Sequence, residues 1–205
     1  MTAAAPITLE QALLLCTRLC HDLAGPIGAL GTGAELLQED GPGAPLDGET
    51  LTLLADSAHA ASARLQILRM AAGTARSHQP ALADALGALD TVLALGGRRL
   101  VRRVEPAYVP DGPRVRLLVA LVLVAADAWP HAPTLSVEAT PTTLALEADG
   151  APPLSPAWSN ALADPPQDLD PRTILAWLAR HLADAAGMTL DTTQPGRLVV
   201  SAPPS

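Results

Sequence analysis

Lysine and phenylalanine are missing from this chain of 205 residues, and aromatic residues make up only 2% of it. A core without phenylalanine must be filled by leucine, alanine and valine. The sequence is nevertheless 49% hydrophobic and 17% charged. These proportions are typical of a packed globular protein and exclude a disordered chain.

Positive charge is also scarce, and the formal net charge is −8. A chain of this charge repels nucleic acid unless it carries a strong basic patch. Its one arginine cluster has no aromatic residues interleaved, which favours a solvated strand edge over a phosphate site. We therefore expect no nucleic-acid partner. The cluster consists of Arg98, Arg99, Arg102 and Arg103.

Long apolar runs and an N-terminal signal are lacking as well. The longest apolar run, Leu117–Ala126, is shorter than the roughly 20 residues that span a bilayer. The first residues carry neither a charged segment nor an apolar core. We therefore expect a cytoplasmic protein without a membrane partner. The two cysteines, Cys16 and Cys20, lie one helical turn apart, where a disulfide closes almost no loop, and we interpret them as buried free thiols.

The segment from Leu9 to Gln38 has apolar or small residues at alternating steps of four and three. This spacing predicts a long helix that packs in a bundle, and Thr8 with Gln11 is typical of a capping box at its start. Pro26 lies within the segment, where we expect a kink. The predicted packing stripe is Leu9, Leu13, Cys16, Cys20, Leu23, Ile27, Leu30, Ala34 and Leu37.

His21 follows a stripe position and is therefore expected to point away from the core. Only small residues share its helical face: Gly25, Gly28, Ala29 and Thr32. Each glycine costs a helix roughly 0.5–1 kcal/mol relative to alanine. A sequence selected for helix stability alone would not keep them, so we hypothesise that they leave room for a large partner beside a reactive imidazole.

A second helix is predicted after Asp47, which can cap it, with a stripe at Leu51, Leu54, Ala58, Ala61, Leu65, Leu68 and Ala72. Two long helices joined by the short segment Glu39–Leu46 form an antiparallel hairpin. One hairpin has too little core by itself, so we expect a homodimer in which two hairpins form a four-helix bundle.

After a linker at Ser77–Pro80, the chain reads as an α/β sandwich with a mostly antiparallel sheet and helices on one face. The fold class is therefore α+β, with a helical domain over residues 1–78 and an α/β domain over residues 79–205. The predicted elements are helices at Leu82–Leu95, Pro113–Trp129 and Asp170–Ala186, strands at Arg99–Glu105, Thr134–Thr140, Thr143–Ala148, Leu190–Thr193 and Arg197–Ala202, and a loop at Ala151–Asp168.

The run from His21 to Ile27, HDLAGPI, resembles the H-box of sensor histidine kinases, in which a phosphorylated histidine precedes a proline by five residues. With the flanking segments Arg18–Pro26 and Gly33–Leu37, it more closely resembles the bacterial histidine phosphotransferases of the ChpT type. The segment Asp170–Thr173, DPRT, is similar to a stretch near the C-terminus of that family.

This resemblance implies a dimeric helical domain followed by a degenerate α/β domain that resembles a histidine-kinase ATPase domain but binds no ATP. It implies a phosphoryl relay through His21 between receiver domains of a hybrid histidine kinase and of response regulators. Mg²⁺ is expected from the receiver, so this chain needs no cofactor or metal of its own. The chain fits the loss of ATP binding, because Leu117–Ala128 contains no asparagine and Asp149-Gly150 is followed by two prolines.

The candidate site therefore consists of a phosphoacceptor and the residues around it. Asp22 is expected to orient the imidazole, and Arg18 is the one nearby cation. Two alternatives remain: an ATP-dependent histidine kinase core, which would label itself from ATP, and a non-catalytic module that binds receivers. The predicted residues are His21 and Asp22 for catalysis, and Arg18, Gly25, Gly28, Ala29, Thr32 and Arg64 for partner binding.

Overall fold

The computed structural model describes residues 6–39, 47–73, 81–105 and 108–203. Within these ranges, the first two helices form a helical hairpin, and the remaining elements form an α/β unit. The predicted turn within 39–46, the linker at 77–80 and the domain boundary after residue 78 fall wholly or mainly outside the described residues. The elements are α1 (Leu9–Glu39), α2 (Gly48–Ala72), α3 (Leu82–Leu95), β1 (Arg99–Val104), α4 (Gly112–Ala128), β2 (Thr134–Ala139), β3 (Thr143–Ala148), α5 (Pro156–Ala161), α6 (Ile174–Ala185), β4 (Thr189–Asp191) and β5 (Arg197–Ser201).

Both helices of the hairpin begin with the predicted caps. The backbone N–H of Thr8 donates to Oε1 of Gln11 at 2.9 Å, and the N–H of Gln11 donates to Oγ1 of Thr8 at 3.2 Å. The carboxylate of Asp47 accepts from the N–H groups of Glu49 and Thr50 at the start of α2. These bonds satisfy N–H groups that have no partner within a helix, so they fix where each helix begins.

Helix α1 continues through Pro26 and packs on α2 with a different face from the one that the sequence indicated. Pro26 and Gly33 are buried, whereas Leu9, Leu13 and Ile27 are 77%, 58% and 56% exposed. A Cβ atom on Gly33 would lie 2.8 Å from the side chain of Leu54, so glycine permits the close approach of the two helices here. The predicted stripe is therefore largely a free surface of the single chain.

Cys16 and Cys20 belong to this exposed stripe. Both are free thiols, as expected, but both are exposed, so the interpretation that they are buried is wrong for the single chain. The reason is that α1 buries another face, which carries Pro26 and Gly33.

The α/β unit is built on a five-stranded sheet in the order β1-β2-β3-β5-β4. β1 runs parallel to β2, and the other pairs are antiparallel, which confirms a mostly antiparallel sheet. Leu135, Val137, Leu144, Leu146 and Leu198 are buried on the inner face. Glu138, Glu147 and Arg103 are exposed on the other. The arginine-rich strand β1 lies at the sheet edge, with Arg102 and Arg103 exposed, as the sequence indicated.

Helices α4 and α6 cover the inner face of this sheet, and α4 also packs against α2 and α3. Ile67, Met70 and Ala71 of α2 are buried in the same hydrophobic core as α3, α4 and the sheet. The hairpin is thus anchored to the α/β unit by a shared core. The segment 151–168, which was predicted to be a loop, contains the short helix α5, and this helix buries Trp158.

One helix among the described residues, over Leu9–Gln38, is long and apolar enough to cross a membrane by length and composition alone. The longest uninterrupted apolar run, Leu117–Ala126, lies in α4, which is a core helix. The α1 segment carries Arg18, His21 and Asp22 near its middle, and ionisable groups at such a depth are costly in lipid. Its apolar residues are better explained by packing against protein.

Candidate functional site

His21 lies near the middle of α1 and its side chain is 81% exposed, as the sequence indicated. Nδ1 of its ring lies 3.3 Å from Oδ1 of Asp22, the next residue. A carboxylate beside one ring nitrogen favours a proton on that nitrogen and leaves the lone pair on the other. In this arrangement Nε2 of His21 is the free nucleophilic atom.

The carboxylate of Asp22 is held from its other side by Arg18, one turn earlier on α1. Nε of Arg18 donates to Oδ2 of Asp22 at 2.8 Å. Nη2 of Arg18 forms an ion pair with Oδ2 of Asp127 at 2.7 Å, and Nη1 donates to the backbone oxygen of Arg172 at 3.2 Å. We call Arg18, Asp22, Asp127 and the Arg172 carbonyl the Arg18 cluster.

These contacts give Arg18 a different role from the one that the sequence indicated. The sequence indicated Arg18 as the one cation near His21 and as a partner-binding residue, but its side chain is only 12% exposed. All three guanidinium nitrogens are engaged within the chain. The physical reason is that α4 supplies Asp127, a second carboxylate that competes for the same charge. Any contribution of Arg18 to partner binding is therefore indirect.

The pKa values of the buried pair reflect this environment. Burial by itself would lower the pKa of Arg18, but the charge of Asp127 and the hydrogen bond to Asp22 outweigh it and raise the pKa. Burial is also the largest influence on Asp127 and raises the pKa of that carboxyl, while Arg18 pulls it down. Burial thus disfavours the ionised form of Asp127, and the charge of Arg18 favours it.

The segment Asp170–Thr173 shapes the turn that reaches Arg18. Oδ1 of Asp170 accepts from the N–H groups of Arg172 and Thr173 at 2.8 and 2.7 Å, and Oγ1 of Thr173 accepts from the N–H of Asp170. Burial raises the pKa of Asp170, but these bonds outweigh it and lower the pKa overall. The turn directs the carbonyl of Arg172 toward α1, which gives the DPRT segment a structural purpose.

A cleft of about 580 Å³ opens beside His21, between α1 and the α/β unit. It is lined by Arg18, His21, Asp22, Arg98, Ala126, Asp127, Pro130, Asp170, Pro171 and Arg172. Sequence reasoning missed Arg98 and Asp127 as neighbours of His21, because nothing local marks them. The DPRT segment was indicated by its resemblance to the family, but the sequence did not show that this segment lies beside His21.

Most of the small residues predicted beside His21 form an open surface. Gly25, Gly28 and Thr32 are exposed, and a Cβ atom on either glycine would meet nothing within 4 Å. Packing within the chain therefore gives no reason for glycine at these two positions. Ala29 is half-buried at the edge of this surface.

Arg64, on α2, lines a second cavity of about 210 Å³ together with Arg18 and Asp22. The structure thus brings Arg64 near the Arg18 cluster. His59, another histidine of the hairpin, is exposed on α2. Among the described residues, no group of three or more histidine, cysteine, aspartate or glutamate side chains could hold a metal ion.

Comparison with known proteins relates this architecture to one class. The chain is similar to a solved structure described as a bacterial phosphotransferase. The two share 26% identity and align with a TM-score of 0.78, over 98% of this chain and 100% of that one. Residues 82–197 match the family model of the histidine phosphotransferase C-terminal domain. The chain belongs to the histidine phosphotransferase family.

A curated relative is the protein phosphotransferase ChpT of Brucella abortus (strain 2308). It is 35% identical over an alignment of 143 residues, and the match covers 64% of this chain and 63% of that protein. The match thus spans somewhat less than two thirds of the relative. The histidine kinase AdeS of Acinetobacter baumannii also aligns, over 88% of this chain and 94% of that one. The two share 18% identity, and the TM-score is 0.46.

Removing Arg18 tests the cluster. We expect Arg18→Gln to lower the free energy of unfolding at pH 8 by about 2–4 kcal/mol, because the fold must then either bury the charge of Asp127 without a counter-charge or bind a proton on this carboxyl at a pH far above its ordinary pKa. Since burial raises the pKa of Asp127, this carboxyl takes up a proton in the fold at a higher pH than in the unfolded chain. The loss should therefore shrink as the pH falls toward the ordinary value of 3.8.

Urea unfolding at pH 8 and pH 5 measures both effects. Arg103→Gln is the matched control, because Arg103 pairs with Glu147 at 3.7 Å on an exposed surface. Such a pair contributes about 1 kcal/mol or less. Equal losses in the two variants, or a loss in Arg18→Gln that does not change with pH, would contradict the assignment.

Proposed function

We propose that this chain is a histidine phosphotransferase that relays a phosphoryl group between receiver domains through His21. The observation that carries the proposal is the arrangement of this imidazole: it is exposed, its Nδ1 faces Asp22, and its Nε2 is free. Membership of the histidine phosphotransferase family supports the same chemistry.

The imidazole ring loses no proton during the transfer. Nε2 of His21 attacks the phosphorus of an aspartyl phosphate on the donor receiver, the N–P bond forms, and the P–O bond to the donor carboxylate breaks. The ring keeps its proton on Nδ1 and becomes positively charged, and Asp22 stabilises that charge. In the second transfer, the acceptor aspartate forms a P–O bond, the N–P bond breaks, and the neutral imidazole returns.

The charge that develops on the phosphoryl group during transfer needs further stabilisation. Arg18 is committed within the chain, so we propose that Mg²⁺ and the cationic side chain come from the receiver. The proposed partners are the receiver domains of a hybrid histidine kinase and of response regulators. They would dock on the open surface at Gly25, Gly28 and Thr32, with Ala29 and Arg64 at its edge.

ATP has no part in the proposed reaction. Two prolines follow Asp149-Gly150, and they bring no N–H groups to a phosphate. The carbonyl of Pro152 already accepts a hydrogen bond from Nε1 of Trp129 at 2.9 Å, and this indole is buried. These features support a relay that receives its phosphoryl group from a protein.

We further propose that the protein is a cytoplasmic homodimer. The exposed stripe on α1 repeats every seven residues at Leu13, Cys20, Ile27 and Ala34, and α2 exposes Leu51, Ala58, Leu65 and Ala72 at the same interval. Stripes with this period are typical of helices in a coiled-coil-like bundle. A second hairpin would cover them and form the four-helix bundle.

The central experiment follows the phosphoryl group. We expect wild-type protein mixed with a ³²P-phosphorylated receiver domain to acquire acid-labile label, and His21→Ala to acquire none. His59→Ala is the matched control, because His59 is another exposed histidine of the hairpin. It should be labelled like the wild type.

Two outcomes would overturn the relay. Self-labelling from ATP alone would identify a histidine kinase core. A His21→Ala protein that binds the receiver normally and retains full biological activity would identify a non-catalytic binding module.

A larger side chain at Gly28 should obstruct docking. We expect Gly28→Gln to slow transfer from the receiver about tenfold or more while the protein stays folded, because the added atoms occupy the space beside His21. Gly87→Gln provides the control, since Gly87 is also a helical glycine with nothing within 4 Å of an added Cβ. Equal transfer rates in both variants would show that the receiver does not use this surface.

The homodimer can be tested at Ile27. We expect Ile27→Glu to weaken self-association roughly 100-fold, because a carboxylate would be buried between the hairpins. Light scattering coupled to size exclusion gives the mass. The control is Val109→Glu, because Val109 is 89% exposed in the α/β unit. A wild-type protein that is monomeric at micromolar concentration would refute the dimer.

A further inference from the structure

The α/β unit forms polar contacts with the environment of His21 at the Arg18 cluster. Asp127 stands at the end of α4 and the carbonyl of Arg172 precedes α6, and both hold the guanidinium of Arg18. Arg18 in turn holds Oδ2 of Asp22, whose Oδ1 faces Nδ1 of His21. A continuous chain of polar contacts thus runs from α4 to the imidazole.

We propose that Asp127 is a positioning residue for phosphoryl transfer: through Arg18 and Asp22 it keeps His21 in the tautomer that carries its proton on Nδ1. The expected effect on the rate of transfer rests on the proposed function, but the tautomer of His21 is a property of the protein alone. It gives the α/β unit a direct part in the chemistry of the helical hairpin.

The geometry explains why one carboxylate is not enough. Arg18 divides its charge among three groups: Nε donates to Asp22, Nη1 donates to the carbonyl of Arg172, and Nη2 forms an ion pair with Asp127. A guanidinium with one carboxylate within reach tends to bind both of its oxygens side by side. Asp127 prevents this by engaging Nη2, so Oδ1 of Asp22 stays available to His21.

The exposure of these side chains agrees with a positioning role. Asp22 and Asp127 are 17% and 27% exposed, whereas His21 is 81% exposed. The reactive ring is open to a partner, while the groups that orient it are shielded from competing water. Such shielding strengthens each polar contact and limits the rotamers of the residues that support the site.

Asp127→Asn tests the inference, because it removes the charge and keeps the shape. Protein labelled with ¹⁵N-histidine is studied by long-range ¹H–¹⁵N correlation at pH 8, with His21 assigned by comparison with His21→Ala. We expect the wild-type ring to carry its proton mainly on Nδ1. In Asp127→Asn we expect the population to shift toward Nε2–H and transfer from the phosphorylated receiver to slow about tenfold.

Three further proteins complete the test. Asp127→Glu, which restores the charge, should recover most of the Nδ1–H population and of the rate. Asp90→Asn removes the carboxylate that pairs with Arg102 on the surface of the α/β unit, and it should change neither. Arg18→Lys, which cannot serve three acceptors in the same geometry, should shift the tautomer as Asp127→Asn does.

An unchanged tautomer in a folded Asp127→Asn protein would overturn the inference, whatever happens to the rate. A shifted tautomer with an unchanged rate would also overturn it, because the orientation would then have no effect on transfer. Failure of the proposed function would be seen differently, because His21→Ala would then accept label as the wild type does. The tautomer of the His21 ring is measured in unphosphorylated protein and does not depend on that result.

Discussion

The position of the reactive imidazole depends on how one buried guanidinium shares its charge. Arg18 binds a carboxylate from its own helix, a carboxylate from α4 and a carbonyl that precedes α6. Removal of any of these acceptors would leave a buried donor or an unbalanced charge, which is costly in a shielded site. The same residue therefore fixes the orientation of α1 and the surroundings of His21.

Space beside the imidazole is the second requirement of the proposed relay, because the proposed substrate is a whole protein domain. Gly25 and Gly28 leave this space open, whereas Gly33 serves the contact between α1 and α2. Glycines on one helix thus have two different purposes, which only the structure separates. Their cost in helix stability is offset by the core that anchors α2 to the α/β unit.

Local patterns in the sequence predicted most elements. Capping residues such as Thr8 and Asp47 and alternating apolar residues located the helices and strands within a few residues, and the HDLAGPI motif indicated His21. The partners of Arg18 could not be predicted, because Asp127 and Arg172 lie 109 and 154 positions further along the chain. The stripe on α1 is largely exposed in the single chain. Periodicity identifies an apolar face without showing what packs against it. The helix α5 was missed because prolines surround it.

The shared core has a consequence for how the molecule loses its structure. Ile67, Met70 and Ala71 of the hairpin are buried among residues of α3, α4 and the sheet. Separating the two halves would expose these side chains to water, so neither half gains a complete hydrophobic interior of its own. We therefore expect the hairpin and the α/β unit to unfold as one cooperative body, so the segment that carries His21 is not an autonomous module that could be excised or exchanged by itself.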